Sequence, residues 1–268
     1  MLDIYYQNEK GKLYNGDCVE IIKQLDDNSI DCCITSPPYD NLRNYKGFSF
    51  DFENTAKELY RIIKEGGVVV WVVGDATING SETGTSFKQA LYFKEIGFNL
   101  HDTMIYQKNG SPFPSNNRYS QCFEYMFILS KGKPKTVNLI KDKKNRNIGG
   151  KRTISNRQKD GSIKKTKTIL IQEYGIRNNI WKYGVGWQKS YKEDFLRAHP
   201  AIFPYKLAED HILSWSNEND IILDPFCGSG TTVVSAEKLN RNWIGIEISK
   251  EYCNIIEKRL KTIKPKII

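Results

Sequence analysis

The stretch from Ile221 to Thr232, IILDPFCGSGTT, decides how the rest of the chain is read. Three apolar residues, Ile221 to Leu223, run into Asp224-Pro225-Phe226. A glycine turn follows at Gly228-Ser229-Gly230, and TTVVSAEKL, from Thr231 onward, has the composition of a helix. Strand, glycine turn and helix in this order make half of a βαβ unit. Gly228 and Gly230 allow a tight turn and let a ligand approach the backbone with no Cβ in the way. A dinucleotide fingerprint needs a third glycine where Val233 stands, and no Gly-Lys-Ser/Thr follows to cradle phosphates.

A second strand, NWIGIE, ends about 20 residues further on in Glu247, whose carboxylate can accept both hydroxyls of a ribose. The expected ligand is a nucleoside without a pyrophosphate, and S-adenosylmethionine fits that description. Working outward, short β-branched runs alternate with amphipathic stretches, the pattern of an α/β sheet covered on both faces. Strands are expected at Lys12 to Tyr14, Ile30 to Thr35, Val68 to Val73, Thr103 to Gln107, Tyr125 to Leu129, Ile221 to Leu223 and Trp243 to Glu247. The spacing of Leu59, Ile62 and Ile63 predicts a helix over 54–63 stopped by Gly66-Gly67, and Tyr252, Ile255, Ile256 and Leu260 predict another over 250–261. Ligands of an open parallel sheet bind beyond the carboxyl ends of its strands, where strand order reverses. Two loops qualify, DPFCGSGTT and TSPPYD at 35–40, with Tyr39 and Asp224 185 positions apart.

The chain has 268 residues, 40 Lys+Arg against 31 Asp+Glu, and 39% hydrophobic residues, enough for one compact domain with an appendage. Its longest apolar run, Val68 to Val73, is far short of the roughly 20 residues of a spanning helix, and MLDIYYQNEK lacks the features of a secretion signal. Membrane and secreted classes are not expected. The six cysteines form no CxxC pair and have no His at ligand spacing, so no metal is expected and the thiols read as small buried hydrophobes. The charge of +9 is uneven: residues 131–168 carry 11 Lys and 3 Arg against Asp142 and Asp160, leaving 26 basic and 29 acidic residues elsewhere. That segment, with Gly149-Gly150 and little aliphatic periodicity, reads as a loop-rich excursion, either a solvated linker or a surface for nucleic-acid phosphates.

Two consecutive prolines after a buried strand fix φ twice and supply carbonyls with no competing N–H. Such a loop suits a substrate bearing N–H donors. The exocyclic amine of cytosine or adenine is a poor nucleophile because its lone pair is delocalised into the ring. Accepting its two hydrogens on the Ser36 hydroxyl oxygen and the Pro37 carbonyl favours a pyramidal nitrogen, and Tyr39 would stack on the base.

TSPPY, the later DPFCGSGTT, and HPAIFPYKL at 199–207 together resemble the β group of amino-DNA methyltransferases. The resemblance implies a doubly wound, seven-stranded Rossmann-like sheet entered at its third strand, so that the motif order is circularly permuted. It makes Ser36, Pro37, Pro38 and Tyr39 the base-binding and catalytic residues. For S-adenosylmethionine it nominates Asp17 of NGDC, Phe203, Asp224, Pro225, Phe226, Gly228, Ser229, Gly230, Thr231 and Glu247. Residues 1–131 and 191–268 would form the catalytic and cofactor halves of the core around a target-recognition insert, 132–190. Within it, Lys143, Lys144, Lys151 and Arg152 would contact DNA, while Trp181, Tyr183 and Trp187 are hinge or DNA-facing aromatics, or else pack between core and insert. The implied enzyme is cytoplasmic, of prokaryotic or phage origin, and monomeric or homodimeric. It would act on duplex DNA, with or without a cognate restriction endonuclease.

Serine at the head of the motif leans toward cytosine N4, as a smaller acceptor for a smaller base, over adenine N6. An RNA or protein-glutamine N-methyltransferase would use a similar loop but has no evident use for the basic insert. A non-catalytic DNA-binding module would explain the insert and leave both loops as coincidence.

Overall fold

The computed structural model describes residues 3–38, 50–110, 117–184 and 204–263. In chain order these form β1 (Ile4–Gln7), β2 (Gly11–Asn15), α1 (Cys18–Ile22), β3 (Ile30–Thr35), α2 (Phe52–Ile62), β4 (Ile63–Val73), β5 (Thr77–Ile78), β6 (Ser81–Glu82), α3 (Thr85–Glu95), β7 (Asn99–Lys108) and β8 (Phe123–Ser130). Then come β9 (Lys143–Lys144), β10 (Lys151–Arg157), β11 (Ile163–Leu170), β12 (Tyr174–Gly175), β13 (Ile180–Tyr183), α4 (Tyr205–Trp215), β14 (Ile221–Asp224), α5 (Thr231–Lys238), β15 (Asn242–Glu247) and α6 (Lys250–Lys261). Residues 1–138 and 179–268 group as one unit and Leu139–Asn178 as a second.

The first unit is built on a sheet of order β1-β2-β15-β14-β3-β4-β8-β7-β13. Strands β2, β15, β14, β3 and β4 are parallel neighbours, whereas β8 runs antiparallel to both β4 and β7. The seven strands anticipated from sequence are contiguous in this order. Two edge strands extend it: β1, antiparallel to β2, and β13, parallel to β7. The permuted entry is explicit, because the late strand β14 lies beside β3 with Ile222 opposite Cys32 and Leu223 opposite Cys33.

The central strand β4 is buried from Gly67 to Val73, as a strand covered on both faces must be, and this is why its sequence is a continuous apolar run. One face of the sheet, with Cys33, Val69, Trp71, Val73, Phe127 and Leu129, packs on Val19, Ile22, Leu59, Ile62, Ala90 and Phe93 from α1, α2 and α3. Side chains alternate along a strand, so Val68, Val70 and Val72 face the opposite layer, built from α4, α5 and α6. Trp71 keeps its polar handle satisfied, donating Nε1–H to Gln89 Oε1 at 2.9 Å.

Helix α2 ends earlier than its glycines suggested. The backbone turns extended at Ile63, and Lys131 Nζ donates to the carbonyls of Tyr60 at 2.8 Å and Ile63 at 3.0 Å, capping the free end with a cation. Gly66 and Gly67 lie inside β4, where a Cβ on Gly67 would sit 2.8 Å from the Asp31 carbonyl. Gly67 serves the close approach of β3, and Gly66 a φ of +82° beside Lys135, rather than helix termination.

The second unit is also more regular than expected. Its core is an antiparallel ladder of β10 and β11, from Lys151 opposite Leu170 to Arg157 opposite Ile163, beside the short pair β9 and β12. Trp181 and Tyr183 belong instead to the first unit, buried in β13, with Trp181 stacked on His211 at 4.6 Å between centroids. Trp187 lies outside the described residues.

Candidate active site

The strand order turns between β14 and β3, and the two loops leaving their carboxyl ends meet there. Thr35 Oγ1 donates to Asp224 Oδ1 at 2.7 Å, a buried bond between residues 189 apart in sequence. Asp224 also accepts the Phe226 N–H at 3.1 Å, and Thr232 Oγ1 donates to the Ile34 carbonyl at 3.2 Å. Burial pushes the Asp224 carboxyl up to about 6, even though the Thr35 hydroxyl and the Phe226 amide favour its charged form. This acid therefore ties the SPP loop to the glycine loop. Sequence reasoning attached no role to Thr35. Its signal is a hydroxyl at the end of an otherwise apolar buried strand, where an unpaired donor would be costly.

The glycine turn is shaped by its conformation and by α6. Gly228 and Gly230 have φ of 52° and 82°, and a Cβ at Gly230 would lie 2.7 Å from Ile256 Cγ1. The Ser229 carbonyl accepts from the buried guanidinium of Arg259, which sits over the Tyr205 ring at 4.9 Å. Pro225, Ser229 and Thr231 are buried. Phe226 is half-buried, edge-on to Phe50 at 5.1 Å between centroids, and forms an apolar wall beside the turn.

Glu247, at the carboxyl end of β15, is held by the turn itself. Its Oε2 accepts the Gly228 N–H at 2.7 Å and its Oε1 the Ser249 N–H at 2.8 Å. Burial pushes the carboxyl up to about 7, with the two amides opposing and Asp224 adding to the rise. Each carboxylate oxygen carries two lone-pair sites, so both retain acceptor capacity for a pair of hydroxyls. A buried acid fixed in this way fits the ribose of a nucleoside cofactor, and the φ > 0 glycines keep the approach to it free of side chains.

The NGDC segment lies at the adjacent strand end. Asn15 pairs with Glu247 in register, and Asn15 Nδ2 donates to the Glu247 and Ile248 carbonyls at 2.9 and 3.0 Å. Asp17 is exposed and caps α1, its Oδ1 accepting from the Val19 and Glu20 amides at 2.9 and 3.1 Å. Ser36 and Pro38 are half-buried and Pro37 is buried; Tyr39 and Phe203 lie outside the described residues. One further acid, Asp75, follows β4 at the same end of the sheet. It accepts from Ser86 N at 2.8 Å and Ser86 Oγ at 2.5 Å, holding the start of α3, whose own cap position is Gly84. Burial pushes the Cys227 thiol well above its ordinary value and the Cys18 thiol up to about 12, so neither contributes a thiolate here.

In the second unit, Lys143, Lys144, Lys151 and Arg152 are all exposed, Lys143 donating to Asn178 Oδ1 at 3.0 Å. No helix among the described residues is long and apolar enough to cross a membrane.

A mostly parallel sheet of this order, with a glycine loop and a buried acid at its switch point, has the Rossmann-like architecture of S-adenosylmethionine-dependent DNA methyltransferases. The family described as DNA methylase, N6_N4_Mtase, matches residues 30–258. The orphan methyltransferase M.BamHII of Bacillus amyloliquefaciens is 62% identical over 242 residues, covering 89% of this chain and 91% of that protein. Among solved structures, the M1.HpyAVI complex with S-adenosylmethionine has a TM-score of 0.60 at 27% identity, over 93% of this chain and 99% of that one. The PvuII DNA methyltransferase shares the fold with a TM-score of 0.71 at 22% identity, over 100% of this chain and 91% of that one. The chain belongs to the DNA methylase family and is a β-group amino-DNA methyltransferase that uses S-adenosylmethionine.

Proposed function

We propose that this enzyme methylates N4 of cytosine at a specific site in duplex DNA, taking the base out of the stack. Bound S-adenosylmethionine supplies a methyl group on a sulfonium, already activated toward a nucleophile. The chain's task is to turn a delocalised amine into that nucleophile. Ser36 Oγ and the Pro37 carbonyl accept the two amine hydrogens, Tyr39 stacks on the base, and the two prolines hold these acceptors still. Glu247 accepts the ribose hydroxyls, and the turn at Gly228 to Gly230 lies against the rest of the cofactor, with Asp17 at the adenine and Phe203 against the ligand. Extruding the base costs a few kcal/mol, offset by stacking and hydrogen bonds in the pocket.

The observation that carries this reading is the Thr35–Asp224 hydrogen bond, because it brings the amine-binding loop to the cofactor loop across the switch point. The neutral, compact Ser36 supports cytosine over adenine. Residues 132–190 serve as the target-recognition region, and Lys143, Lys144, Lys151 and Arg152 contact phosphates. The enzyme works in a prokaryotic or phage-infected cytoplasm, as an orphan or beside an endonuclease. Mass spectrometry of nucleosides from DNA of expressing cells should reveal N4-methylcytosine; N6-methyladenine there would overturn the choice of base. Ser36→Ala should lower turnover sharply while S-adenosylmethionine affinity stays nearly unchanged, and unaltered turnover would remove Ser36 from its assigned role.

A further inference from the structure

The excess charge of the protein is confined to the smaller unit. Residues 139–178 contain twelve Lys+Arg and three acids, a net of +9, while the remaining 228 residues carry 28 of each sign and are neutral. Seven of those twelve cations lie on the β10–β11 hairpin, against Asp160 alone. That acid is engaged in the turn, where it accepts from Ser162 N at 2.9 Å and Ser162 Oγ at 2.7 Å, and these bonds lower its pKa.

The cations fall on both faces of the ladder. Residues directly opposite one another share a face, and successive residues alternate. Thr153 Oγ1 and Thr168 Oγ1, 3.2 Å apart, mark one face, which by the register also carries Lys151, Arg157 and Lys165. Arg152, Lys164 and Lys167 lie on the other, across from Ile169, Asn156 and Ile154. Except for Ile154, every residue of both strands is exposed, including Ile163 at 67% and Leu170 at 58%. A two-stranded ribbon open on both sides is marginally stable in water, so it gains order from whatever encloses it.

We infer that the β10–β11 ribbon enters the major groove of the DNA, with its two cationic faces directed at the two phosphate walls. This rests on duplex DNA being the substrate. Charge on both faces suits a partner that surrounds the ribbon and has no purpose against a flat surface, where one face would be left over. Dimensions select the groove. Seven residues at ~3.3 Å each reach about 20 Å, and a single sheet layer with its side chains is about 10 Å thick. The major groove, about 12 Å wide, admits such a ribbon, and the minor groove, about 6 Å wide, does not. Phosphate contacts carry no sequence information, so base readout falls to the ribbon's two side-chain amides, Asn156 and Gln158, at and beside the turn.

The test uses the full-length protein and fluorescence anisotropy on a duplex containing its methylation site, found by sequencing DNA from expressing cells. Two triple variants are compared: Lys151→Ala, Arg157→Ala, Lys165→Ala and Arg152→Ala, Lys164→Ala, Lys167→Ala. Each should weaken binding and reduce the slope of log Kd against log salt by about two to three, since each phosphate contact contributes about 0.9. Retained S-adenosylmethionine affinity shows that either variant is folded. If one triple variant leaves affinity and slope unaltered while wild type binds the duplex normally, the ribbon lies flat and the groove assignment fails. Failure of the wild type to bind or methylate duplex DNA would instead strike at the proposed substrate. Asn156→Ala with Gln158→Ala should leave the salt slope in place and abolish the preference for the target over a scrambled duplex; preference retained would remove the amides from readout.

Discussion

The ribose role proposed for Glu247 should make the affinity of the cofactor depend on pH near neutrality. Burial pushes its carboxyl up to about 7, and a protonated carboxyl offers a donor where two ribose hydroxyls need acceptors. With that value the ionised fraction falls from about nine-tenths at ~pH 8 to about one-tenth at ~pH 6, so S-adenosylmethionine should bind about tenfold more weakly, about 1.4 kcal/mol. Asp224, pushed up to about 6, adds to the decline only at the acidic end. Isothermal titration calorimetry across this window is the assay, repeated with 5′-methylthioadenosine, which keeps the ribose and lacks the titrating α-amino group. Glu247→Gln should bind weakly at every pH and lose the slope, because its NH2 would face one of the two amide donors, Gly228 N or Ser249 N. Folding of the cofactor-free protein should move the other way. A carboxyl raised from 4.5 to about 7 contributes most stability below its unfolded value and loses it as pH rises through about 7. Wild-type affinity that stays flat from ~pH 8 to ~pH 6, or a slope that survives in Glu247→Gln, would refute the ribose assignment.

Thr35→Val removes the hydroxyl from buried Asp224 and should cost about 1–3 kcal/mol at ~pH 8, less at ~pH 5 where the acid is protonated in both proteins. Urea denaturation at the two pH values checks this, and equal losses would contradict it. Gly230→Ala places a Cβ 2.7 Å from Ile256 at a φ of +82°, which should lower stability by about 1–3 kcal/mol and weaken cofactor binding, as read from urea midpoints and calorimetry. Lys131→Met keeps the aliphatic stem but drops the charged donor from the end of α2. About 1–3 kcal/mol of stability should be lost, with S-adenosylmethionine affinity nearly unchanged, by the same two measurements.

What could be read from sequence follows from which elements are self-evident in one dimension. Strands β3 and β4 are buried almost throughout, so VVVWVV and IDCCIT announce themselves without knowledge of their neighbours. Their order needed motif order as well, since periodicity alone does not say that Ile222 lies opposite Cys32. The edges were not legible. Ile180–Tyr183 is four residues long with alternate positions exposed, and its burial depends on Tyr106 and His211 meeting it from elsewhere. The start of helix α4, PYKL, is continuous in sequence with HPAIFP, and no side-chain cap marks its first turn.

Within the site, residue types were visible but their engagements were not. Glu247 was nominated for its position after a strand, yet its elevated pKa arises from burial under a turn that folds back to donate Gly228 N–H. Asp17 was nominated for the cofactor, and the three-dimensional structure adds a helix to cap, a task that occupies Oδ1. The ribbon was the largest misreading, and the signal for it was present. Asp160-Gly161 sits between KRTIS and KKTKTIL, two runs rich in β-branched residues, which is a hairpin signature. The lysines obscured it, because cations at adjacent positions, Lys151-Arg152 and Lys164-Lys165, erase the apolar alternation by which a strand facing a core is recognised. A strand pair with no core to face has no such alternation to show. The feature that hid the ribbon, cations on both of its faces, is the one that argues for a partner enclosing it from both sides.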